Sequence, residues 1–259
     1  MPLWAFFFAV VALVLLAMGV GYVFGLAKRK RGDQDPEGPL GSVVGAVLGL
    51  LAFILAFTFG IASSRFDNRK QLLLDEVVAL ETAARRTELL PEPHRSASRV
   101  LLKRYVDTRV AVVEHLDKLP ELLAESRRIH DELWDHAIAL ARADMNSDIG
   151  ALYVEAINDV IGMHTARSVV ALQYRIPSRI WFGLLFVTFL SMAAVGYQFG
   201  LSGHGNLAAR LVLSLTFAAV VTLIADLDRA TQGSIMVSQQ PMMELQQRLS
   251  ETAKPPEAP

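Results

Sequence analysis

Leu40 to Lys70 reads LGSVVGAVLGLLAFILAFTFGIASSRFDNRK. Gly41, Gly45, Gly49, Phe53, Phe57, Ile61 and Arg65 each stand four residues after the last, so on a helix they form one slowly winding stripe. Its first half has no side chains and its second half carries large apolar ones. No charge occurs from Leu40 to Ser64, and a helix of that length is about 37 Å long at 1.5 Å per residue. That clears the roughly 30 Å hydrocarbon core of a bilayer. The stretch is predicted to span a membrane, with glycines at Gly41, Gly45 and Gly49 for close helix packing and phenylalanine rings beyond them.

The whole chain fits a two-phase protein. It has 259 residues, 53% of them apolar and 20% charged, with a mean hydropathy of +0.36. That is too apolar for an ordinary soluble domain and too charged for a fully embedded one. A net charge of −1 gives no clustered basic excess, so nucleic acid is not an expected partner. The absence of cysteine excludes disulfides, thiolate metal sites and cysteine nucleophiles.

Outward from the central stretch, Met1 to Ala27 is apolar almost throughout and is followed by Lys28, Arg29, Lys30 and Arg31. A secretory signal has its charge before a short apolar core; here the core is too long and the charge is on the other side. The segment is predicted to be a retained span, with Trp4 and Tyr22 near its interfaces. The polar GDQDPEGP from Gly32 to Pro39 makes the two spans an antiparallel hairpin. Past Ser64 the helical period continues through Leu72, Leu73, Val77, Leu80 and Ala84, which predicts one rod ending near Pro91 and Pro93. Helices near 94–118, 121–144 and 149–175 follow, the first with a buried stripe of Leu101, Leu102, Tyr105, Val106, Val110, Val113 and Leu116. Ile180 to Leu201 is a third span, and a tight SGHGN loop leads to a fourth from Leu207 to Ala225, whose Arg210 must snorkel to the headgroups. Gly233 marks a turn in the tail, a short amphipathic helix follows Pro241, and the last residues, KPPEAP, are expected to be disordered.

The fold class is thus an all-α integral membrane protein with four transmembrane helices. Its expected parts are a hairpin over 1–64 (helices about 3–27 and 40–64) and a helical soluble domain over 65–179, continuous with the second helix. A second hairpin over 180–225 (helices about 180–201 and 207–225) and a tail over 226–259 complete it.

The polar residues offer little chemistry. His130 and His136 in HDELWDH are six apart and face nearly opposite ways on a helix, a poor metal pair. Glu132 with His136, and Asp131 with Asp135, read better as a solvated helix face. Asp226 and Asp228 with Arg229 stand at the foot of the fourth span. Structural ion pairs or helix-end groups are a better reading than a cation site. No nucleophile–base–orienter set can be assembled, and Ser191 and Ser214 read as packing hydroxyls. No enzyme activity, metal or cofactor is expected.

The run Phe53, Leu55 and Phe57, then Arg65 and Phe66, resembles the second membrane helix of the bestrophins. Asp226, Asp228, Gly233, Pro241 and Leu245 resemble the stretch after their fourth helix. The chain is more broadly similar to the bacterial family labelled bestrophin-like, through LAFTFGIASSRFD, LLPEP at 89–93, YVDTR at 105–109 and LDRATQGSIMVSQQP at 227–241. The resemblance implies a pentamer in a bacterial inner membrane, with inorganic anions passing a neck lined by the second helices. Phe53 and Phe57 would form apolar rings there. The sequence departs from the bestrophin pattern at Gly49, where a bulky ring member is expected, and at Phe66 and Asp67, where paired tryptophans are. It also lacks the acidic run of the eukaryotic calcium clasp.

The charge rule does not orient the chain. Lys28 to Arg31 and Arg210 lie on one side, against Arg65, Arg69, Lys70, Arg167, Arg175, Arg179 and Arg229 on the other. The resemblance places the helical insert in the cytoplasm. Two functions follow as expectations. The first is a homo-oligomeric anion channel whose neck is Gly49, Phe53, Phe57 and Ile61, with Arg65 concentrating anions at its mouth. The alternative is a non-conducting membrane-anchored sensor or scaffold whose helical domain binds a protein partner.

Overall fold

A computed structural model of the chain describes residues 1–31, 38–172, 174–203, 207–230 and 233–252. Residues 32–37 of the turn expected at Gly32 to Pro39, most of the SGHGN loop with His204, and the KPPEAP end lie outside the described residues, while Gly38 and Pro39 already belong to the second helix. Among those described, the regular elements are all helical: α1 (Leu3–Lys30), α2 (Gly38–Thr87), α3 (His94–Glu114), α4 (Leu119–Ala143), α5 (Asp148–Leu172), α6 (Ser178–Ser202), α7 (Leu207–Asp228) and α8 (Gln240–Thr252). Four of them, α1, α2, α6 and α7, are long and apolar enough to cross a membrane. The chain divides into two compact units: Met1–Phe66 with Arg175–Ile235, and Asp67–Tyr174 with Met236 onward.

The first unit holds the four apolar helices. α1 packs against α6 and α7, and the α1–α6 contact is made through glycine. A Cβ added at Gly21 or Gly25 of α1, or at Gly196 or Gly200 of α6, would fall within 3.0 Å of the other helix's backbone. In an apolar solvent helices gain from dispersion contact rather than from excluding water, so backbones that can touch hold best. Around this seam lie Val14, Ala17, Met18, Leu184, Met192 and Val195, all buried. α2 turns Val44, Leu51, Leu55, Thr58 and Ala62 inward, at helical spacings of seven, four, three and four. Buried hydroxyls satisfy themselves on their own helix: Thr58 donates to the Ile54 carbonyl at 2.7 Å and Ser191 to Val187 at 2.7 Å. Such groups have no water to turn to in lipid. α6 stops at Gly203, whose φ of 73° closes the helix end through a bond to the Phe199 carbonyl.

α2 continues without a break to Thr87, ending before Pro91 as the residue types dictate. Its second half belongs to the second unit. Leu73, Val77, Leu80 and Ala83 form a core there with Leu102, Tyr105 and Val106 of α3, Ile129 and Leu133 of α4, Tyr153 and Ile157 of α5, and Met242 and Leu245 of α8. The α3 stripe is shorter than its periodicity suggests: Val113 and Leu116 are exposed, because α3 ends at Glu114 and a 3₁₀ turn covers Leu116–Lys118. Pro120 then sits in the first turn of α4, where its missing N–H costs nothing. Ser147 caps α5 by accepting the Gly150 N–H at 3.1 Å. α8 is tied down by Gln246, which donates to Asp107 at 2.9 Å, and by the Arg248–Glu81 pair.

Candidate functional site

The outward flank of α2 in the first unit carries the glycine–phenylalanine stripe. Among the described residues, nothing beyond the helix's own backbone lies within 4 Å of a Cβ added at Gly45 or Gly49, and at Gly41 the Gln198 side-chain nitrogen alone does, at 3.7 Å. Among the described residues, these glycines therefore make no close contact with another helix of the protomer. The glycines that do are Gly21, Gly25, Gly196 and Gly200, which share the same four-residue spacing.

Phe53 and Phe57 point away from the protomer, 68% and 65% exposed, with rings 6.5 Å apart and nearly parallel at 16°. Ile61 does not continue this surface. It is half-buried against the unit's own core. Four residues overshoot one helical turn by about 40°, so the stripe rotates inward as it climbs. Arg65 is half-buried, and its Nη1 is enclosed without a hydrogen-bond acceptor. The surface is thus three bare glycines, then two aligned rings, with a guanidinium further along the helix. It has no polar atom that could act on a substrate; its shape suits contact with another apolar surface or a dry constriction. A second outward ring pair, which sequence reasoning did not single out, stands on α6: Phe182 and Phe186, centroids 6.1 Å apart.

Asp226 and Asp228 at the end of α7 serve chain geometry. Asp226 accepts from the Ser234 N–H at 3.0 Å and from its hydroxyl. Gly233, with φ of 155°, passes so close to that carboxylate that a side chain there would meet it. Asp228 accepts the Ile176 N–H at 2.9 Å, and Arg229 donates to the Met1 carbonyl at 2.9 Å. These contacts are helix-end and turn hydrogen bonds.

The polar cluster of the second unit was missed. Glu76 of α2 is fully buried. Arg109 of α3 brings its Nε to 3.0 Å from Glu76 Oε1, a charge contact off the N–H axis, and Arg167 of α5 pairs with Oε2. Arg167 also donates to Gln239 at 2.7 Å. Tyr105 donates its hydroxyl to Glu76 at 2.7 Å. Its one proton is then used, so His164 Nδ1, 3.0 Å from the same oxygen, must be the N–H donor of a neutral ring. His130 lies edge-on to His164 with centroids 4.8 Å apart, and its Nε2 is enclosed without a partner.

Burial pushes the Glu76 carboxyl up, but Arg109, Arg167 and the Tyr105 hydroxyl outweigh it and hold the group at about 2. Burial lowers both imidazoles to about 4, and Arg109 presses further on each. His130 is therefore no part of a solvated face. The local signal was available: Glu76 stands between Leu73 and Leu80, three and four residues away on the buried phase of α2. Among the described residues, no three His, Asp or Glu side chains are grouped to hold a metal.

A family model described as a bestrophin-like domain matches residues 6–242. Two crystal structures of a bacterial bestrophin homologue from Klebsiella pneumoniae are similar in fold. One has a TM-score of 0.69 and the other 0.68; each is 16% identical over 96% of this chain and 99% of the other. No curated protein matches the chain.

Proposed function

Since the chain belongs to the bestrophin-like family, we propose that its copies assemble around a shared axis and conduct inorganic anions past Phe53 and Phe57. The observation that carries this reading is the exposed flank of α2, where Gly45 and Gly49 meet no other helix among the described residues and two aligned rings follow. Lipid tails gain nothing from glycine, whereas a second helix does, because bare backbone lets it come close. The glycines then form the contact between neighbouring copies. Winding of the stripe carries the rings toward the axis, where they form a dry constriction that opens by wetting. Ile61 is outside this neck because its side chain supports its own protomer. Arg65, with an enclosed nitrogen lacking an acceptor, raises anion concentration beside the constriction by its field.

By the resemblance to bestrophins, the assembly is a pentamer in a bacterial inner membrane with the second unit in the cytoplasm. The rival reading is a non-conducting scaffold whose second unit binds a protein partner; under it the flank only packs.

Chloride currents of the purified full chain in planar bilayers test the proposal. F53A/F57A is expected to raise conductance or relax anion selectivity, and F182A/F186A on α6 to leave both unchanged. A wild-type protein without current, or a current altered only by the α6 pair, would refute it.

A further inference from the structure

Among the described residues, Arg210 presents a cation without a carboxylate partner at one end of the first unit. α1 and α6 run parallel along their glycine seam, and α7 runs back against α1, with Arg229 beside Met1 at one end and Arg210 beside Tyr22 at the other. The guanidinium carbon of Arg210 is 4.1 Å from the Tyr22 ring centroid and 6.0 Å from that of Phe199. Its Nε is enclosed without an acceptor. The carboxylates among the described residues of this unit, Asp226 and Asp228, are at the far end of α7, on the order of 24 Å away at 1.5 Å per residue.

The described residues around Arg210 are cationic and apolar. The last turn of α1 carries Lys28, Arg29 and Lys30, with Arg31 beyond them, and Arg29 lies against Gly203 at the end of α6. Flanking the stacked guanidinium are exposed apolar side chains: Val23 and Phe24 on α1, Leu207 and Leu211 on α7. Cation–π contact with Tyr22, and with Phe199 at longer range, holds the guanidinium in place, and its planar fork of donors suits a phosphate. Apolar neighbours on both sides suit acyl chains rather than water. We propose that Arg210, held by Tyr22 and Phe199, binds the phosphate of an anionic lipid at the α1–α6–α7 end of the membrane unit. The recognised chemistry is a phosphate oxyanion, and the apolar flanks select lipid over free phosphate. Asp33, Asp35 and Glu37 lie outside the described residues, so the test includes them.

The full chain is extracted from vesicles of equal phosphatidylcholine and phosphatidylglycerol, and the lipid retained on it is weighed by native mass spectrometry. A basic residue near an anionic surface contributes about fivefold in binding. The wild type is therefore expected to prefer phosphatidylglycerol by about that factor, and R210Q to bring the ratio near one, while R31Q leaves it unchanged. Equal losses in R210Q and R31Q would mean diffuse surface charge and overturn the proposal. If R210Q fails to insert, Y22L decides, since it keeps the cation and removes its support; an unchanged ratio in Y22L overturns the proposal. Excess inorganic phosphate is expected to have no effect, and displacement of the lipid by it would end the lipid assignment. D33N/D35N/E37Q is expected to leave the Arg210-dependent preference unaltered; a rise would mean that Arg210 answers to those carboxylates, and also overturns the proposal.

Discussion

Replacing Glu76 by Gln removes the anion from between two guanidiniums and keeps the shape of the side chain. Glu76 is fully enclosed, and the side chains of Arg109 and Arg167 are 6% and 14% exposed. A carboxyl moved from 4.5 to about 2 is stabilised in its charged form by about 3 kcal/mol. Removing one partner of a buried pair costs about 3–5 kcal/mol by mutational experience. The lower end applies, because Arg167 can lean toward water. Amide hydrogen exchange on the full chain reads this directly. Protected amides of α2 near Leu73–Ala83 and of α3 near Leu101–Val110 are expected to exchange about a hundredfold faster in E76Q. E76M/R109M/R167M, which removes all three charges, is expected to recover most of that loss, since apolar replacement of a whole buried cluster is often neutral. An E76Q chain that exchanges within about threefold of wild type, under 1 kcal/mol, would refute the reasoning.

Acid is expected to weaken the same unit. Burial holds His130 and His164 at about 4 in the folded chain, below the ordinary imidazole value of 6.5, so below pH 6.5 the unfolded chain binds protons that the folded one refuses. Their stabilisation is therefore complete above pH 6.5 and falls as the pH drops toward 4, by about 2 kcal/mol per histidine at pH 5. H130N/H164N should flatten that slope in urea unfolding. The depressed Glu76 adds a further loss from about pH 4.5 down to 2. Along the α1–α6 seam, G196A forces the helices apart by about an ångström and is expected to cost about 1–3 kcal/mol, read as lowered detergent thermal stability of the full chain. D226A leaves the Ser234 N–H without its acceptor and should speed proteolytic cleavage near residues 229–238, at a local cost of about 1.5–3 kcal/mol.

The four membrane helices were legible because a run such as Leu40 to Ser64 admits one physical solution in a bilayer, and α2 beyond it because its apolar period persists. Spacing could not say which glycines meet. Gly21–Gly25, Gly196–Gly200 and Gly45–Gly49 are identical in one dimension, and only the packing of α1 on α6 separates the first two pairs from the third. Ile61 packs against its own protomer because a four-residue ladder is not a single face and drifts through a little more than half a turn by its sixth member. The ion cluster escaped because Glu76, Arg109 and Arg167 come from three helices and converge only when those helices pack. Each looks like ordinary surface charge when read alone, although Glu76 among leucines and valines was a local clue.

The open space beside Gly45 and Gly49 gives the chain a built-in reporter. Among the described residues, an alanine methyl at either position comes within 4 Å of nothing beyond its own stretch of helix, so a solitary chain should tolerate G45A or G49A without loss. Any change in subunit number or cohesion caused by that single carbon must then originate in a neighbour's shape. The same substitution at Gly196 reports on the fold; at Gly49 it reports on company.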